Sequence, residues 1–182
     1  MRSGFQPAPN VRMSGGLLAA ALVAFFQCTP LAQASEQASE MRWSQDPQTG
    51  CRFVVPHSVG ATSVRWVGDC PGGKASGHGM LRDRSAQGAG LPFFGELRDG
   101  VPVLGVILGD GGYQSGTFFQ GDIGGTPPEW ETREWQLRHD SLEVAVRAAQ
   151  AVSAHYAREG NTASAQHYSD VARTLDSQLD SD

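Results

Sequence analysis

The chain has 182 residues, 23 of them glycine, and 14 basic against 19 acidic side chains for a formal charge of −5. That length holds one domain or two small ones. The bases, 13 arginines and one lysine, form no cluster, so neither a nucleic-acid surface nor a polybasic membrane anchor is expected.

Residues 1–34 contain Arg2 and Arg12 and no acid, then an apolar run from Leu17 to Phe26. Ten apolar residues are too few to span a bilayer as a helix, which takes about 20, but they match the core of a secretory signal peptide. The run leads to Ala32-Gln33-Ala34, the small-x-small pattern of a cleavage site, which places cleavage before Ser35. Gln27 precedes Cys28 where a lipoprotein would carry a small residue, so lipidation is not expected. No second apolar segment follows, so the mature chain is expected to be soluble, periplasmic or secreted, without a transmembrane segment. Its 12 bases against 19 acids would repel anionic lipid head groups.

Cleavage leaves Cys51 and Cys70 as the only cysteines. Two cysteines in an oxidising compartment predict a disulfide. A zinc site would need more thiol or imidazole ligands, and the spacing of His57 and His78 matches no ligand pattern. Residues 35–50 are expected to be a flexible N-terminal segment; 51–56 and 62–66 alternate as strands.

Eighteen of the glycines lie between Gly60 and Gly125, and this stretch resolves into three copies of one pattern. They open at Trp66, Phe93 and Tyr113, followed by Gly68, Gly95 and Gly116, and then by Cys70, Leu97 and Phe118. The third copy has its glycine three residues after the aromatic instead of two. The pattern resembles the MORN repeat, Tyr-x-Gly-x-Phe-x-x-Gly-x-x-x-Gly-x-Gly, and in particular an exported bacterial variety in which a first cysteine precedes Trp-x-Gly-x-Cys. The resemblance implies tandem β-hairpins over 51–125 and a possible bridge between Cys51 and Cys70. Turns are signalled at Gly72-Gly73, Asp99-Gly100 and Asp110-Gly111. Trp66, Phe93 and Tyr113 are expected to stack on one side of the sheet, with Leu97 and Phe118 in a second apolar row beside Cys70.

Residues 126–182 are expected to be helical. Thr126 and the acids Glu129, Glu131 and Glu134 suit a helix start, and a second start is signalled at Asp140-Ser-Leu-Glu143. Leu142, Val146, Ala149, Val152 and Tyr156 then share a face, Gly160 stops the helix, and Ala165, Tyr168, Ala172, Leu175 and Leu179 share the next. This hairpin is similar to one tetratricopeptide unit, although Ala149 stands where tryptophan is typical and no proline closes the second helix. A plain helical hairpin packed on the sheet is the expectation. Trp130 and Trp135 either anchor it to the sheet or form an exposed binding patch.

The fold class read from the sequence is α+β: an antiparallel sheet of MORN-like hairpins followed by an α-helical hairpin. No nucleophile elbow, zinc-peptidase motif, phosphate loop or dinucleotide fingerprint is present, and no catalytic, cofactor or metal residues are assigned. The expected function is an exported, non-enzymatic interaction module of the cell envelope that binds a protein or envelope component through its sheet and helical tail. The alternative is an enzyme or enzyme accessory with a pocket in the β-repeat domain.

Overall fold

The computed structural model describes residues 41–84, 90–124 and 134–179. Two short strands, β1 (Trp43–Gln45) and β2 (Arg52–Val54), pair as a hairpin. A meander follows: β3 (Val64–Asp69), β4 (Ser76–Asp83), β5 (Phe93–Arg98), β6 (Val101–Gly109), β7 (Gly112–Phe119) and β8 (Asp122–Ile123). Each strand pairs antiparallel with the next, so spatial order equals chain order. Two helices close the chain, α1 (Glu134–Arg158) and α2 (Thr162–Leu179). The antiparallel sheet and terminal helical hairpin are the α+β arrangement read from the sequence.

The spacing of the glycines becomes a register in the sheet. Gly79 faces Gly95, Gly95 faces Gly105, and Gly105 faces Gly116. Glycine is required here for close approach more than for backbone freedom. A Cβ on Gly79 would stand 2.6 Å from the Trp66 ring, and one on Gly105 2.7 Å from the Phe93 ring. The aromatic of each aromatic-x-glycine pair thus lies over the glycine row, where no side chain competes with it.

Strand alternation divides the sheet into two buried faces. On one, the row Trp66, Leu81, Phe93, Ile107 packs with Leu97 and Ile123 beneath Phe53, Val55, Val59 and Ala61 of the N-terminal arm. The arm is tied down by Val54 N–H donating to Gly100 O and His57 N–H donating to Gly121 O. On the other face, Val67, Met80, Phe94 and Val106 meet Leu142, Ala145, Ala149 and Val152 of α1, with Tyr168, Ala172 and Leu175 of α2 beyond. The Cys51–Cys70 disulfide, its Cα atoms 6.0 Å apart, joins the arm to the end of β3.

Three expectations change. Part of the segment expected to be flexible over 35–50 is ordered: β1 pairs with β2, and Asp46 is buried and ion-paired to Arg84. Tyr113 does not join Trp66 and Phe93. It pairs with Leu108 and packs against the helix-side core, while Gln114 faces Ile107 in the aromatic row. The cause is parity, because three residues from Tyr113 to Gly116, instead of two, turn the ring to the opposite face. The helix start read at Asp140 lies inside α1, where the Ser141 hydroxyl donates to Leu137 O within the helix, 2.6 Å away. Of the two placements expected of Trp135, anchor or exposed patch, it takes the exposed one, at 68%; Trp130 lies outside the described residues.

The break between the helices follows the sequence closely. Gly160 adopts φ +74°, a conformation that ends helices because only glycine enters it without strain. The Asn161 side chain then accepts from Ser164 N–H at 3.1 Å as the cap of α2.

Candidate functional site

Of the residues singled out in the sequence, Trp66, Phe93 and Leu97 are buried, with Cys70 and Phe118 partly buried in the same cluster. They are core, and over β3 to β6 one face of the sheet is covered by the arm and the other by the helices, while Gly112, Gln114 and Phe119 of β7 are exposed. The open concave surface lies elsewhere, where α2 crosses the ends of β4 to β6.

There a cleft of about 600 Å³ has an apolar floor of Pro92, Phe94, Leu108 and Val171. Ala163 and Ser164 of the first turn of α2, with His167 and Tyr168 one turn on, form one wall; Arg82, Asp83 and Gly90 form the other. A smaller polar recess of about 250 Å³, lined by Gln48, Arg65, Arg82, Asp83 and Arg84, adjoins it at Arg82 and Asp83.

The register brings the arginines together. Arg65 of β3 faces Arg82 of β4 directly, on the same sheet face as Val67 and Met80. Like charges in opposed positions repel, at a cost comparable to the 0.2–1 kcal/mol or so of a favourable cross-strand pair. Two tyrosines of the helices support this pair. Arg82 Nη1 donates to Tyr168 Oη at 2.8 Å, and Arg65 Nη2 donates to Tyr156 Oη. The two tyrosine rings stack, centroids 5.5 Å apart and planes 11° from parallel, and Phe94 tilts against Tyr168 at 6.0 Å. Nearby, Arg84 takes up the buried carboxylate of Asp46 at 2.9 Å. Burial pushes the Tyr168 hydroxyl above the ordinary tyrosine value, against the pull of Arg82. It therefore stays a neutral acceptor for the guanidinium at physiological pH.

The chain matches no family model, no curated protein and no solved structure. What the site can do therefore rests on its own geometry. Among the described residues no group of three or more His, Cys, Asp or Glu is placed to hold a metal ion, and no helix is long and apolar enough to cross a membrane.

Arg65, Arg82, Tyr156 and Tyr168 were not legible as a site in the sequence. The tyrosines read as members of apolar helix faces, which they are. The arginines sit 17 positions apart in the chain, and only the β3–β4 register makes them neighbours. The one local signal is a charged residue at an inward position of each alternating strand.

Proposed function

We propose that the protein is an exported, non-enzymatic interaction module of the cell envelope, built on a MORN-like sheet, that holds a protein or envelope component in the cleft between α2 and the sheet. The observation that carries this reading is the cleft itself: a concavity of about 600 Å³, within the range of specific ligand sites, with an apolar floor and a few convergent polar groups. Most of the sheet from β3 to β6 is taken up by the protein's own core, which supports the cleft as the binding surface in place of the sheet. The glycine row under Trp66 and Phe93 supports the MORN-like reading, since it supplies a physical reason for aromatic-x-glycine pairs. The disulfide supports export, because such bonds persist in oxidising compartments.

Affinity capture from native envelope extract tests this reading, comparing wild type with Ala163→Trp. Ala163 is exposed on the cleft wall, so an indole there fills the cleft without entering the core. Wild type is expected to retain a stoichiometric component that Ala163→Trp loses. Equal capture by both would remove the cleft from the function.

A further inference from the structure

We infer that the cleft takes the apolar C-terminal end of a partner polypeptide, its terminal carboxylate held by Arg82 with Arg65 behind it. This rests on the cleft being the binding site and adds the chemistry that the site selects.

The first argument is charge. Arg65, Arg82 and Arg84 converge on the recess that adjoins the cleft, together with Asp83, while Asp46 is ion-paired to Arg84. Three guanidiniums against two carboxylates leave one positive charge, which matches a carboxylate better than a phosphate dianion. In a chain of net charge −5, two directly opposed arginines are an unfavourable arrangement that an anion would relieve. Each guanidinium carries five N–H donors in a planar fork. The tyrosine hydroxyls, and for Arg82 the Asp83 carbonyl at 3.4 Å, occupy only part of that capacity. Such a fork suits the two oxygens of a carboxylate. The stacked tyrosines fix the arginines from behind, so little side-chain entropy remains to be lost on binding.

The second argument is the position of α2: Ala163 and Ser164 of its first turn line the same cleft, and because the Ser164 N–H is already taken by the Asn161 side chain, the arginines are what an anion meets there.

The third argument concerns the body of the ligand. Phe94, Leu108 and Val171 offer apolar contact, and Ser164 and His167 line the wall beside them. A polar wall beside an apolar floor fits a peptide, which brings backbone N–H and C=O groups, better than a bare alkyl chain. The cleft has room for a few residues.

Isothermal titration calorimetry on the exported chain decides it, with acetyl-Ala-Leu-Val-Leu as the free acid, the same peptide as its C-terminal amide, and octanoate as probes. The acid is expected to bind, and the amide about tenfold more weakly or worse, since it lacks the charge-assisted pair. Arg82→Gln, which can still donate to Tyr168, should weaken the acid about tenfold and leave the amide unchanged. Arg65→Gln should act in the same direction, and circular dichroism should show both variants folded. Equal affinity for acid and amide, or Arg82→Gln without effect, would overturn the carboxylate site. Octanoate binding as tightly as the peptide acid would overturn the peptide class. If neither peptide binds while Ala163→Trp still loses an envelope component, this inference falls and the cleft reading stands.

Discussion

Gly105→Ala gives the sharpest test of why the glycines recur. Gly105 lies in β6 and its φ is outside the left-handed region, so alanine meets no backbone penalty and should even gain slightly in strand propensity. The cost is steric alone. The new Cβ would lie 2.7 Å from Gly95 Cα and 2.7 Å from the Phe93 ring, and closer still to the Phe94 carbonyl oxygen. Two of these three neighbours are backbone of β5, held in the ladder on both sides, so they cannot swing away as a side-chain tip would. Overpacking in a fixed core costs about 1–3 kcal/mol, and backbone neighbours put this site at the upper end. For a domain of this size, about 3 kcal/mol lowers Tm by roughly 10 °C. Gly111→Ala is the control: nothing lies within 4 Å of its added Cβ, its φ is ordinary, and it should be neutral or stabilising by about 0.5 kcal/mol. Thermal and urea melts of the two variants beside wild type measure the difference. If Gly105→Ala melts like Gly111→Ala, the glycine row is not a close-approach device and the account of the repeated pattern fails.

Trp66→Ala should destabilise the fold by about 3–5 kcal/mol, because a buried indole spanning Gly68 and Gly79 is lost; a urea midpoint equal to wild type would contradict it. Replacing Cys51 and Cys70 together with alanine opens a loop closed at a sequence separation of 19 and should cost about 3 kcal/mol in the same assay. The raised pKa of Tyr168 contributes stability that is complete below the unfolded tyrosine value and is lost as pH rises through the folded one. Wild type should therefore lose Tm more steeply than Tyr168→Phe as pH rises past about 10, and parallel curves would refute the assignment. Intact mass of the exported protein should correspond to a chain that starts at Ser35; a mass for a chain starting at Cys28 with acyl groups would show lipidation instead.

The local elements were legible because their determinants are local. The face of Leu142, Val146, Ala149, Val152 and Tyr156, the stop at Gly160 and the turn at Asp99-Gly100 depend on neighbours within a few residues. There, period and backbone freedom decide the outcome, and the structure has these features where the sequence put them. Even the misplacement of Tyr113 was foreshadowed by its odd spacing to Gly116, because parity along one strand is a sequence property. Cys51 and Cys70 were pairable by count alone. Tertiary structure decided what covers what. The arm bearing Phe53 and Val59 folds over the aromatic row, and α2 leaves a cleft over Phe94 and Leu108. Arg65 and Arg82 face each other through strand register, and Tyr156 and Tyr168 reach them from two different helices. No pattern along the chain encodes that meeting, because it depends on how the helical hairpin is set down on the sheet, which is fixed by the packing of the whole core.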